Sequence, residues 1–427
     1  MTGTIVAPPA EPTSAPPEPP RGETAMRLVA LVAGTAVAVG LLAATAGWPW
    51  VIVIGSIIVI IMLHELGHFA TAKWSGMKAT EFFVGFGPRL WSIRKGETEY
   101  GFKAIPLGGY VKILGMTSAE ELDPSDEPRS FINQSTSKRV LVASAGSIMH
   151  LLIALLLAIG ALWFIGNPHA NRVQIGALSI IPGVVTPAER AGLKSGDLLV
   201  SIDGVSTTGQ NVISQIQSGG SHPLRIVVLR GGRDVTVLAQ PKPLDAHSSV
   251  PKLGVFLSDP VTYTHPGLIG SVTAGTALVW RVTTGTVHAF TQTFSPKGLT
   301  SLATQVTNAK DAARVRATGQ GGSVSMVGAT ELAVDAVKAG PLAFIEILIA
   351  LNISLGVLNM LPMLPLDGGH VAIALYERAR TRKGKPRYRA DVNKLMPVVY
   401  AFMAFLLIFV ASKMYLDIAH GVSNPFG

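Results

Sequence analysis

The sequence predicts a polytopic α-helical membrane protein, four core spans plus an extra N-terminal one, with an α/β domain inserted between the second and third core spans. Three observations carry this prediction. Of the 427 residues, 48% are hydrophobic and only 14% charged, and the mean hydropathy is +0.42, which disfavours a purely soluble chain. The apolar residues gather in five runs of the length, about 20 residues, that a helix needs to cross a bilayer. The 45 Gly and 28 Pro demand turn-rich structure beside those helices.

Charge and cysteine content narrow the chemistry. The net charge of +9 falls largely next to apolar runs, so membrane topology accounts for it and nucleic acid is not an expected partner. The absence of Cys excludes disulfides, thiolate nucleophiles and Cys-type zinc sites. Any metal must therefore be held by His or carboxylate.

Residues 1–25 are rich in proline without apolar periodicity, which predicts a disordered tail. Residues 26–47 form an apolar run after Arg27 and read as a span. The alternative is a signal peptide, since Ala44-Thr45-Ala46 resembles a cleavage site. Either way the next segment starts outside. The first half of the core, 51–165, holds one span from Val51 that ends in HELGHFA and another from Val140 to Phe164. Between them lie β-prone runs, EFFVGFG, RLWSI, TEYGFKAI and YVKIL, broken by Gly and Pro. Residues 172–262 alternate short β-rich runs such as LRIVVLR and DVTVLAQ with Gly-containing turns and one helical stretch, NVISQIQS, predicting a small α/β domain. Residues 263–340 form an extracytoplasmic, membrane-associated connector in which Gly267 to Phe290 reads as an interfacial amphipathic stretch. The second half of the core, 341–412, contributes the last two spans, and 413–427 a short C-terminal tail. Between those spans the stretch Arg378 to Lys394 is strongly basic, which places it in the cytoplasm. The loop at 73–139 is then also cytoplasmic, while 166–340 lies outside.

His64 and His68 stand four apart, so on a helix their imidazoles project from one face about one turn apart and can hold one zinc ion. Glu65, beside the first, is placed to take a proton from a metal-bound water and pass it to a leaving amine. An ionisable cluster in an apolar span is costly to insert and marks a functional site. Two His require a third ligand, and carboxylates are nearly absent from the other spans. Asp367 stands out in NMLPMLPLDGGH, where Pro362, Pro365, Gly368 and Gly369 break the helix and can turn the backbone toward the metal. The spans carrying the two motifs are separated by one intervening span and so run in the same direction, with both motifs near the cytoplasmic ends. A turn or capping Asp before two glycines is the alternative. Two His and one Asp would leave the fourth zinc position open for water.

HELGH in one span and LDGGH in another, with PAERAGLKSGDLLVSIDG between them, resemble the site-2 protease family of intramembrane zinc metalloproteases, peptidase M50-like enzymes of bacterial regulated intramembrane proteolysis with one PDZ domain. The resemblance runs from about Val51 to Val410 and includes VGFGPRLW, GFKAIPLGGYVKI, AGSIMH and SMVGA. It implies a zinc metalloendopeptidase of the cell (inner, cytoplasmic) membrane that hydrolyses peptide bonds within transmembrane segments. His64, His68 and Asp367 correspond to the Zn2+ ligands, Glu65 to the general base, and Asn359 to a residue that contacts substrate backbone. The inserted domain corresponds to an extracytoplasmic PDZ domain, and Phe82 to Ile113 to a membrane-associated β-loop whose edge captures an extended substrate. The implied partners are the lipid bilayer and single-span membrane proteins, such as anti-sigma factors already shortened by a first protease, or remnant signal peptides. A catalytically inactive membrane-anchored PDZ scaffold is the competing reading, and intact Glu65 argues against it. Two departures stand out. Gly146-Ser147 and His150 replace the family's Gly-Pro and Asn, so His150 either tunes the site or pairs with a neighbouring helix. Pro365 sits one residue later than in many members.

Overall fold

The computed structural model describes residues 21–116, 123–170, 173–179, 185–207, 212–218, 222–243, 251–258, 261–308, 325–382 and 384–420. Most of the proline-rich tail expected at 1–25 lies outside them. Contacts divide the chain into two units, one made of Met1–Ala158 and Gly275–Gly427 and the other of Ile159–Ala274.

The first unit begins with α1 (Arg21–Thr45) and α2 (Trp48–Trp74), joined through Gly47 at a φ of 92°. Pro49 sits in the first turn of α2, where its missing N–H costs no helical hydrogen bond. After α2 come two long strands, β1 (Ala79–Lys95) and β2 (Thr98–Ile113). Each bends and pairs twice: Phe82 lies opposite both Tyr100 and Val111, and Trp91 lies opposite Phe102. The segments therefore order as 89–95, 98–103, 79–84 and 109–113, with 109–113 at one edge. Gly85 and Gly87 make the bend in β1, with φ of 88° and 85° that side-chain-bearing residues rarely adopt. The turn is pinned to the end of α2. Glu97 accepts hydrogen bonds from Arg129 Nη1 at 2.6 Å and Nη2 at 2.9 Å, and from Lys73 Nζ at 2.5 Å.

Helix α3 (Thr136–Gly160) continues through a π-helical turn at Ala161–Ile165. The second unit then opens with β3 (Asn167–Ala170). It continues through β4 (Gln174–Leu178), α4 (Pro187–Arg190), β5 (Leu198–Ile202), β6 (Val205–Ser206), α5 (Val212–Ser218), β7 (Leu224–Arg230), β8 (Arg233–Ala239) and β9 (Val255–Ser258). The sheet has the order β8-β7-β5-β4-β9, with β6 paired to β5. Alternate residues of β7, Leu224, Ile226 and Val228, turn inward against Ile175, Ile202 and Val212, as the period of two demands. Asp197, in the SGD turn, is fixed by Arg230 Nε at 2.7 Å and Nη2 at 2.6 Å and by the Lys194 N–H at 2.9 Å. Strand β10 (Val261–Thr264) runs back antiparallel along β3.

Residues 267–293 form one continuous helix, α6 (Gly267–Thr293). Its partly buried Leu278, Val279 and Val282 lie against a cluster of Ala154, Ala158, Ile349 and Ile353. Small residues on α3 admit a neighbouring helix closely enough for that contact. Then follow α7 (Pro296–Thr307), α8 (Met326–Ala339), α9 (Pro341–Asn359), α10 (Asp367–Arg380) and α11 (Met396–His420). Among the described residues, five helical stretches are long and apolar enough to cross a membrane: Ala25–Thr45, Trp48–Trp74, Thr136–Ile165, Pro341–Asn359 and Val392–Ala419. The chain is thus a polytopic helical membrane protein. The expected tail at 413–427 is helical as far as His420. That extension carries Asp417 to the start of α8, where its Oδ2 accepts the Ser325 N–H at 2.6 Å.

At the opposite end of the bundle the basic stretch folds onto the chain before α3. Arg139 and Glu377 form a buried ion pair, with side chains 4% and 7% exposed. Removing one partner from such a pair costs about 3–5 kcal/mol, because the other is left charged and unmatched. Glu377 also accepts the Ala390 N–H at 2.9 Å, and Arg387 donates to the Gln134 carbonyl.

Candidate metal centre

His64 and His68 lie in the last third of α2, and both are buried. Helical spacing puts them on one face, which packs against α3 at Gly146. A Cβ on Gly146 would occupy the space of His64 Cε1 and His68 Nε2. Gly67, between the two His, meets the Ala145 carbonyl just as closely, so two glycines let α2 and α3 touch at the level of the imidazoles.

Asp367 arrives by a different route. Helix α9 ends at Asn359, and residues 360–366 turn through Pro362 and Pro365. Asp367 is the first residue of α10. It therefore stands just beyond the span that ends at Asn359, not inside it. Gly368 and Gly369 are buried where a side chain would strike the backbone of Met360, Leu361 and Met363, so the turn closes only over glycine.

The three donor atoms form a near-equilateral triangle. His68 Nε2 is 3.3 Å from His64 Nε2, Asp367 Oδ2 is 3.3 Å from His68 Nε2, and Asp367 Oδ2 is 3.5 Å from His64 Nε2. Tetrahedral zinc with bonds of about 2.0–2.1 Å separates its ligands by about 3.3 Å, so the triangle has the edges of one face of that coordination shell. Asp367 Oδ2 is buried without a hydrogen bond, as an atom reserved for a cation would be. Among the described residues, His64, His68 and Asp367 form the one group of acidic and His side chains that converges in this way. His68 Nδ1 donates to the Val142 carbonyl at 2.7 Å, leaving Nε2 as the lone-pair nitrogen that faces the triangle.

Glu65 sits beside the triangle. Its Oε2 accepts the Val111 N–H at 3.1 Å, so the outer edge of segment 109–113 is aimed at this carboxylate. Asn359, the last residue of α9, is half-buried at the start of the turn that leads to Asp367.

Sequence reasoning singled out His150 but not its partner. His150 Nδ1 lies 3.1 Å from Asn352 Oδ1, and its ring lies 4.8 Å from that of His64. Of the two readings offered by the sequence, the pairing of His150 with a neighbouring helix is present. Asn352 was missed. An Asn in the middle of the apolar run of α9 was the available signal, because a buried amide needs partners.

The profile of the family described as Peptidase family M50 matches residues 52–406. The chain is 36% identical over 403 residues to the zinc metalloprotease Rip1 of Mycobacterium tuberculosis, covering 87% of this chain and 96% of the relative. Rip1 of Mycolicibacterium smegmatis is 34% identical over 404 residues, with the same coverage of 87% and 96%. A protein of Clostridium acetobutylicum described as a putative zinc metalloprotease is 29% identical over 360 residues, covering 83% of this chain and 94% of its own length.

Proposed function

This chain belongs to peptidase family M50 and is an intramembrane zinc metalloprotease, and from that premise we propose that it cuts within the membrane-spanning segments of single-span proteins, anti-sigma factors or remnant signal peptides among them. The observation that carries the reading is the triangle of His64, His68 and Asp367, whose 3.3–3.5 Å edges fit one tetrahedral metal ion. Its setting on apolar helices makes a purely structural polar cluster expensive.

In this reading His64 Nε2, His68 Nε2 and Asp367 Oδ2 hold Zn2+, which when bound acidifies a water and polarises the scissile carbonyl. Glu65 takes the proton from the attacking water and hands it to the departing amine. Asn359, at the end of α9, hydrogen-bonds the substrate backbone and keeps it extended. A helical substrate must be unwound before its amide is accessible, and segment 109–113 offers an edge for main-chain pairing close to Glu65. The basic stretch after α10 supports a cytoplasmic position for this chemistry. The sheet of the second unit acts outside as a PDZ-like module that receives the substrate's outer part.

Glu65→Gln tests the division of labour, because it preserves volume and leaves the three metal-facing side chains in place. Purified Glu65→Gln should retain zinc while cleavage of a reconstituted membrane substrate falls about 10²–10⁴-fold. His68→Ala and Asp367→Ala should lose zinc and cleavage together. Full activity in Glu65→Gln removes Glu65 as the base, and undiminished zinc in Asp367→Ala removes Asp367 from the coordination shell.

A further inference from the structure

Among the buried polar side chains of the apolar helices that the proposed chemistry leaves unused, two face each other. His150 on α3 is 2% exposed and Asn352 on α9 is 0% exposed. They meet each other. Asn352 Nδ2 donates to the Leu348 carbonyl at 2.8 Å, which turns its Oδ1 toward His150. The network therefore assigns the proton to His150 Nδ1, which donates across the α3–α9 interface. The helices are close here: a Cβ on Gly356, one turn along α9, would lie 3.2 Å from His150 Cβ and 3.4 Å from the Ser147 carbonyl.

The pair matters because the two imidazoles of the triangle are held unequally. His68 is anchored by its bond to the Val142 carbonyl. His64 Nδ1 faces the Gly146 backbone but completes no hydrogen bond of ordinary geometry. Besides the His68 ring, 4.8 Å away and edge-on at 79°, the ring that borders His64 is that of His150, 4.8 Å away and tilted by 39°. That ring is fixed in turn by Asn352, on the same helix that leads through residues 360–366 to Asp367.

We propose that His150 and Asn352 are a positioning pair for the metal site: Asn352 locks His150, and His150 sets the His64 ring at the angle that completes the triangle with Asp367. The pair thereby ties α3 and α9 to a ligand carried by α2. This rests on the reading of His64, His68 and Asp367 as metal ligands. Partners that orient a ligating imidazole are worth about 10–100-fold in metal affinity.

The test is zinc affinity of the purified full-length protein by chelator competition, together with the absorption spectrum of the Co2+-substituted form. Asn352→Leu and His150→Phe both delete the hydrogen bond with little change in volume. Each should weaken zinc binding about 10–100-fold and shift the Co2+ bands, and the double variant should lose little more than either alone. Ile349→Ala, in the neighbouring cluster of α9, serves as the control for packing loss; it should lower the melting temperature while leaving affinity and spectrum unchanged. If Asn352→Leu and His150→Phe bind zinc as the wild type does, or if Ile349→Ala weakens zinc binding as much as they do for the same loss of melting temperature, the positioning role is wrong. His68→Ala, measured alongside, separates the two claims: zinc retained there overturns the ligand assignment itself, and with zinc lost there the affinities of Asn352→Leu and His150→Phe decide the positioning role.

Discussion

At the residue scale the site depends as much on absent side chains as on present ones. Gly146→Ala would ordinarily favour a helix by about 1 kcal/mol. Here the added methyl falls on both imidazoles, so the steric effect decides the sign. Gly146→Ala should leave the protein folded but strip it of zinc and activity, read by metal analysis and circular dichroism; a zinc-replete, active variant would show that α2 and α3 separate freely. The chemistry-bearing residues were largely legible in the sequence, because an H-E-x-x-H spacing and a proline-broken LDG place ionisable groups in apolar runs, where they are too costly to keep without a task. Asn352 was not legible as a partner of His150, since 202 residues separate them and a single sequence carries no information on which lone polar groups of different helices meet. The tight contacts at Gly67 and Gly146 were hidden for the same reason: a glycine in a membrane helix does not announce what it touches.

At the element scale the β-prone loop shows what pattern reading yields and where it stops. Four strand-like runs were visible as hydrophobic and aromatic clusters between glycines, and four paired segments are present. Their order was not visible, because the bends at Gly85 and Gly87 and the double pairing of 79–84 are set by tertiary contact. The anchoring of this sheet to α2 has a testable pH dependence. Arg129, hydrogen-bonded to Glu97 and aided by Lys73, holds the Glu97 carboxyl at about 2, below its ordinary 4.5. A depressed folded value means the stabilisation is complete above 4.5 and is lost as pH falls from there through about 2. Amide exchange in 98–103, corrected for intrinsic rates, should therefore rise between about pH 5 and about pH 2.5, and Glu97→Gln should exchange at neutral pH as the wild type does in acid. Equal protection across that range would mean the tip is held by its strand pairing alone. Which helices the connector meets was not legible either: the partly buried Leu278, Val279 and Val282 lie against α3 and α9, a choice made by neighbours rather than by local sequence.

At the scale of the whole molecule, five long apolar helices fix the class of the protein, and the direction in which they cross is a prediction of charge. The chain has no Cys, so single introduced thiols report sidedness without background. A Cys at exposed Ser218 should react with an impermeant reagent applied from outside, and one at exposed Gly384 should react only after the membrane is opened; the reverse pattern would put His64, His68 and Asp367 at the outer face. The pairing of β3 with β10 bears on how such a protein changes over time. Antiparallel partners lie about 4.8 Å apart, so the chain enters and leaves the sheet module through adjacent strands, held together by Val261 opposite Ala170 and Thr264 opposite Asn167. In evolutionary terms the module is a cassette. It can be exchanged, duplicated or lost at a single neck while the helix that carries His64 and His68 stays as it is.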